Sequence, residues 1–198
     1  FLILFIMQVY ILKESNSDSR VAASPDTIKK MIDWGLNVVV QDNAGLNSNF
    51  SNEDYVKSGA TISNSITDIS KTDLILKINK PNDDEIALMK EGSILIASLD
   101  PYNNNETLNK LKDKGVTSFA MELMPRITRA QSMDILSSQS NLAGYKAVID
   151  ATYLFNKAMP MMMTAAGTIA PAKVMVFGAG VAGLQAIATA KRLGAIVS

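Results

Sequence analysis

The stretch KVMVFGAGVAGLQAIATAKRL, Lys173 to Leu193, decides the fold. Val174, Met175, Val176 and Phe177 form a four-residue apolar run suited to a buried parallel strand. A turn with GxGxxG spacing follows, and then a helical pattern from Leu184 to Leu193. Gly178 permits the tight turn, Gly180 removes a side chain where a pyrophosphate would approach the backbone, and Gly183 lets the helix lie close to the strand. The helix N-terminus adds free N–H groups and a partial positive charge. The glycine spacing alone is weak evidence, also compatible with a turn in an ordinary α/β protein; strand before and helix after identify a dinucleotide-binding turn. The acidic residue that grips the adenosine ribose in such folds lies about 20 residues beyond the turn. Here that position falls past Ser198, so the sequence reaches only the start of the second strand of this domain.

Upstream, strands and helices alternate. The expected strands are Val9–Leu12, Leu36–Gln41, Ala60–Ile62, Asp73–Ile78, Ser93–Ala97 and Val116–Ala120. Between them come a helix opened by Ser24-Pro25-Asp26, a short one over Asn52–Ser58, and helices over Glu85–Lys90 and Glu106–Lys114, with glycines at 35, 59, 92 and 115 as stops. This rhythm predicts an α/β fold: a Rossmann-like parallel sheet over residues 7–125, covered by helices on both faces, with ligands outside the carboxyl ends of the strands. A helix over Thr128–Asn156, apolar on several sides, is expected to be buried between two domains (126–156). Residues 157–198 hold a loop, then the first strand, turn and helix of an incomplete second Rossmann domain.

The opening FLILFIMQVYIL is too short to span a bilayer, which takes about 20 residues, and lacks a basic segment or cleavage site. Met7 reads as the start, with residues 1–6 upstream of it. Lys plus Arg and Asp plus Glu both number 19, so no net charge draws the chain onto nucleic acid or an anionic membrane. There is no Cys, which excludes disulfides and thiolate metal sites, and no His, which removes the commonest proton shuttle and metal ligand. The Met159-Pro160-Met161-Met162-Met163 run reads as adaptable packing rather than a soft-metal site; no metal site is expected.

A second polar constellation heads the long helix: Arg126, Thr128, Arg129, Gln131, Ser132, Asp134, Ser137 and Ser138. Thr128 and Gln131 fit a capping box. Gln131, Asp134 and Ser138 equally fit a polar ridge that needs partners, from the protein or from a ligand. Spacing alone leaves both readings open.

The runs PRITRAQSMDILSSQSNLAGYKAV (125–148) and TAAGTIAPAKVMVFGAGVAGLQAI (164–187), with KES (13–15) and RVAASP (20–25), resemble the NAD(H)-binding alpha subunit of proton-translocating NAD(P) transhydrogenases from Met7 onward. That family shares its fold with the alanine dehydrogenases. The resemblance implies a Re/Si-specific enzyme in which hydride passes directly between NAD(H) held here and NADP(H) held by a partner beta subunit. It also implies a membrane-spanning part that moves protons, a homodimer of alpha subunits, and a cytoplasmic position, peripheral on the inner face of the membrane. Arg126, Ile127, Thr128 and Arg129 would border the nicotinamide, with Gln131, Asp134 and Ser137 beside it; Arg126, Gln131 and Asp134 would serve the transfer, and Gln131 would face the second nucleotide. Gly178, Gly180, Val181 and Gly183 would hold the pyrophosphate. The absence of His suits this chemistry, since hydride exchange between two nicotinamides needs closeness and orientation but no proton donor. An alanine dehydrogenase-like oxidoreductase is the alternative. Such enzymes use a Lys and a His where this chain has Asn79 and Asp100, while Arg20 matches their carboxylate-binding Arg. A non-catalytic NAD(H)-binding regulatory subunit is a third reading.

Overall fold

The structure, a computed structural model, describes residues 7–15 and 17–198. The assignment of residues 1–6 as upstream sequence lies outside the described residues. The chain divides into two compact units, one ending at Met124 and the other spanning Pro125–Ser198.

The first unit is built on β1 (Gln8–Ile11), whose residues Val9, Tyr10 and Ile11 are fully buried, as is Leu12 just beyond. A strand buried on both faces needs parallel neighbours and a helix layer on each side. Its neighbours are β2 (Asn37–Gln41) and β4 (Leu74–Leu76), and the full parallel order is β3-β2-β1-β4-β5-β6, with β3 at Thr61–Ser63, β5 at Ile94–Ala97 and β6 at Thr117–Ala120. Successive side chains point to opposite faces. Val9, Ile11, Val38 and Val40 therefore meet Ile28 of α1 (Pro25–Asp33) and Tyr55 of α2 (Asn52–Lys57). Tyr10, Leu12, Val39, Ile75 and Leu95 meet Ile86 of α3 (Asp83–Leu88) and Leu111 of α4 (Asn105–Asp113). The two-faced α/β arrangement is the one expected. Ser24 caps α1 as its sequence implied, and Ser51–Asp54 and Asn82–Glu85 form capping boxes on α2 and α3.

The second unit pairs β9 (Lys173–Val174) in parallel with β10 (Ile196–Val197). Its core is small: Val148, Met159, Ala172 and Ala190. Two helices carry it, α5 (Ile135–Leu154) and α6 (Val181–Arg192), and they pack on each other. Four expectations are corrected here. The regular strand before the turn is shorter than 174–177, and Met175 and Phe177 are exposed, because they point away from the small core. The long helix does not run from Thr128: residues 128–133 form a 3-10 turn and Asp134 is extended (φ −76°, ψ 94°) before α5 begins. Nor is α5 buried on several sides; only Gly144 and Val148 are buried, while Leu142, Tyr145, Tyr153 and Leu154 are exposed. Within the supposed loop 157–172 stands an antiparallel hairpin, β7 (Met162–Thr164) with β8 (Gly167–Ile169), exposed along its length.

In the first unit Lys77 and Glu85 form a buried ion pair, Nζ to Oε1 2.6 Å, and Glu85 also closes the α3 capping box. Removing one member of a buried pair leaves an uncompensated charge. Lys77→Met is expected to lower unfolding free energy by about 3 kcal/mol, read from the urea midpoint at unchanged slope; a shift below about 1 kcal/mol would mean that Glu85 finds another partner or a proton at little cost.

Candidate dinucleotide-binding site

The turn Gly178–Gly183 has the geometry its sequence requires. Gly178 has φ +98°, a backbone state that side-chain-bearing residues rarely adopt. A Cβ on Gly183 would lie 2.0 Å from the Gly178 carbonyl oxygen, so only glycine allows this approach of helix to turn. Gly180 is different. It is the N-cap of α6 at φ −75°, ψ −173°, and a Cβ there would meet nothing within 4 Å. No side chain caps α6, so the N–H groups of its first turn have neither intrahelical nor capping partners. Gly178 to Val181 are exposed. Open space in front of an uncapped helix N-terminus, reached by a side-chain-free backbone, fits an anionic diphosphate.

The second constellation is brought together in part. Arg126, Ile127, Thr128, Arg129 and Gln131 are exposed, and Asp134 and Ser137 half-buried. The capping box, one of the two readings left open, does not form: Thr128 lies inside the 3-10 turn, whose N-cap Ile127 makes no side-chain bond. The working cap is Asp134, which accepts from the Ser137 backbone N–H at 2.9 Å and from the Ser137 hydroxyl at 2.6 Å. These two bonds, with the charge of Arg126 nearby, hold the Asp134 carboxyl below the usual carboxylate range. The polar ridge also dissolves, since the chain is extended at Asp134 and Ser138 bonds back to the Ile135 carbonyl. The Gln131 side chain makes no hydrogen bond among the described residues. The Asp134 cap was missed in the sequence; the signal that could have found it is an Asp immediately before the apolar pair Ile135-Leu136.

Another polar cluster lies in the first unit, where the strand order reverses between β1 and β4. This is the place where open α/β sheets receive ligands. Here several polar side chains of the chain bond to one another. Glu14, buried, accepts from the Ile78 N–H at 2.6 Å, the Asn79 N–H at 3.3 Å and the Asn79 side chain at 3.0 Å. Asn79 donates also to Asp18 at 2.8 Å, and Asp18 takes Arg20 through both carboxylate oxygens, at 2.9 and 2.6 Å. Arg20 holds the Asp18 carboxyl far below its ordinary range. Nearby, Asp100 sits at φ +47° with its carboxylate on Asn103. Glu14 and Asp18 were not singled out in the sequence; a Glu just past a strand carries no periodic signal.

With this geometry in hand, comparison with known proteins assigns a family. Residues 10–143 match the family described as "Alanine dehydrogenase/PNT, N-terminal domain" and residues 147–198 its "C-terminal domain". The chain belongs to the alanine dehydrogenase/PNT family. It is 50% identical to the first part of the NAD(P) transhydrogenase alpha subunit of Rhodospirillum rubrum, over 96% of this chain and 52% of that protein. It is 30% identical to an alanine dehydrogenase of Staphylococcus saprophyticus, over 97% of this chain and 52% of that one. The structure of a transhydrogenase from Sinorhizobium meliloti superposes with a TM-score of 0.93 at 53% identity, covering 96% of this chain and 57% of that one. Within the family the chain is thus nearer to these transhydrogenases than to this alanine dehydrogenase. It spans about half the length of these curated relatives. Among the described residues no helix is long and apolar enough to cross a membrane.

The two glycines separate stability from binding. Gly183→Ala is expected to destabilise by about 2 kcal/mol or more, because its Cβ meets backbone. Gly180→Ala, facing open space at an ordinary φ, stays within about 0.5 kcal/mol of the parent. Paired thermal melts check this, and equal losses at both positions would overturn it.

Proposed function

We propose that the chain is the NAD(H)-binding part of the alpha subunit of a proton-translocating, Re/Si-specific NAD(P) transhydrogenase. Hydride then moves directly between NAD(H) held by this chain and NADP(H) held by a partner beta subunit. In this reading residues 7–125 are the N-terminal domain, 126–156 connect, and 157–198 open the nucleotide domain. The observation that carries it is the open, uncapped glycine turn, in a chain half identical to a transhydrogenase alpha subunit. The nicotinamide supplies the hydride chemistry; the chain supplies placement. Gly178, Gly180, Val181 and Gly183 hold the pyrophosphate on the first turn of α6. Arg126, Ile127, Thr128 and Arg129 border the nicotinamide end, Asp134 and Ser137 fix the start of α5 beside it, and Gln131, whose side chain makes no hydrogen bond among the described residues, is available to the second nucleotide. The exposed Met161, Met162, Met163 and Ile169 around the hairpin support a homodimer, since a lone two-stranded hairpin is marginal in water. Membrane attachment comes through partner subunits and leaves the chain on the cytoplasmic face.

Single-turnover hydride transfer, with the intact protein and the partner's NADP-binding domain, tests this. Gln131→Ala is expected to leave melting unchanged, since it caps nothing, and to slow transfer about 10-fold or more. Asp134→Ala should cost about 1 kcal/mol of stability as a lost cap as well as transfer rate. NADH binding with no transfer by the parent protein would favour the regulatory reading, and normal transfer by Gln131→Ala would remove that residue from the site.

The alanine dehydrogenase reading is disfavoured by Asn79, whose amide bonds both Glu14 and Asp18 where those enzymes carry a Lys. A Lys at position 79 would stand between the Glu14 and Asp18 carboxylates and stay protonated, while Asp18 still occupies Arg20. The double variant Asn79→Lys, Asp100→His is therefore expected to show no alanine-dependent NAD reduction above the parent; a clear gain would promote the alternative.

A further inference from the structure

We infer that Gly144, in the middle of α5, is a positioning residue for the dinucleotide turn, setting where the first turn of α6 stands. The inference rests on the reading of that turn as a nucleotide site. Glycine inside a helix costs about 1 kcal/mol relative to alanine, so a buried one in mid-helix calls for a packing reason. A Cβ on Gly144 would lie 2.1 Å from the Ala182 carbonyl oxygen, 2.8 Å from its carbonyl carbon and 3.0 Å from its Cα. All three are backbone atoms, so no rotamer change makes room; one helix must move. Ala182 is the second residue of α6, between Val181 and Gly183. The peptide units displaced are thus those whose N–H groups face the open space at Gly180.

A second contact fixes the same pair of helices. The Asn141 side-chain amide, one turn earlier on α5, donates to the Gln185 side-chain oxygen at 3.2 Å, one turn further along α6. From the other side Gly183 presses on the Gly178 carbonyl. The first turn of α6 is therefore gripped between two backbones. One grip belongs to the GxGxxG spacing, and the other comes from a glycine outside it.

The test uses Gly144→Ala in the intact protein, with NADH titration, the KM and kcat of hydride transfer to NADP+ on the partner domain, and melting of the nucleotide-free protein. A displaced α6 turn is expected to raise Kd and KM for NADH about 10-fold while kcat at saturating NADH stays within about 2-fold. A merely structural glycine would lower the melting temperature and the active fraction and leave KM alone, and that result would overturn the inference. Should Gly144→Ala fail to fold, Asn141→Ala decides, since it removes one hydrogen bond at an exposed position. A 2- to 3-fold rise in KM at unchanged melting is the expected result, on the order of the loss of one weak contact, and an unchanged KM overturns the inference. A parent protein that binds no NADH would sink the reading of the turn itself. NADH binding that both folded variants leave untouched would sink only the role of Gly144.

Discussion

Backbone meeting backbone, with no side chain between, is the constraint on which the second unit depends. Gly183 lies against the Gly178 carbonyl and Gly144 against Ala182, in a unit whose core cluster has four buried residues, Val148, Met159, Ala172 and Ala190. So small a core contributes modestly, at about 25 cal/mol per Å² of apolar surface buried, and close approach of rigid elements supplies much of the definition. The same closeness has a chemical consequence. The start of α6 is held by contacts on its carbonyl and Cα atoms, so its first N–H groups need no capping side chain to fix them and remain directed at open space. A helix N-terminus fixed in place without a cap is preorganised for an anion, and preorganisation reduces the ordering cost that binding otherwise carries.

The first unit carries a polar network where its own strand order reverses. Between β1 and β4 the Glu14 carboxylate accepts from two backbone N–H groups and from the Asn79 side chain. Asn79 and Asp18 then extend the network to Arg20. Among the described residues no buried side-chain nitrogen or oxygen lacks a partner. The network thereby ties the loop after β1 to the end of β4, through Glu14 to Ile78 and Asn79 and through Asp18 to Asn79.

The sequence spoke clearly where one physical period dominated. The six strands of the first unit were legible because Val9–Leu12 and Val38–Val40 are apolar on both faces and bounded by caps and glycines, and Gly178 and Gly183 because each occupies a position that excludes a side chain. Legibility failed where local and tertiary signals diverged. The helical pattern carried through Thr128–Asn156 hid the extended Asp134, whose carboxylate captures Ser137 and restarts the helix. The hairpin at 162–169 shows no polar–apolar alternation because both of its faces are exposed, so nothing marked it off from a loop. Gly144 did carry a signal, as a glycine within a helical pattern, but only the packing of α5 on α6 reveals what it makes room for. Glu14 carried none, because a single acidic residue after a strand is equally at home in solvent.

Each unit carries a carboxylate whose charge is fixed by its own neighbours, and this bears on the proton chemistry that either can offer. Asp134 is held ionised by the Ser137 hydroxyl, the Ser137 N–H and Arg126, and Asp18 is held ionised by Arg20. A depressed carboxylate gives up its proton well below neutral pH, so neither group can serve as an acid or base poised near the working pH. With no histidine in the chain, the usual means of passing a proton at neutral pH is absent as well. The hydride exchange proposed above makes no call on such a group, because the reacting carbons of two nicotinamides exchange no proton and need only closeness and orientation.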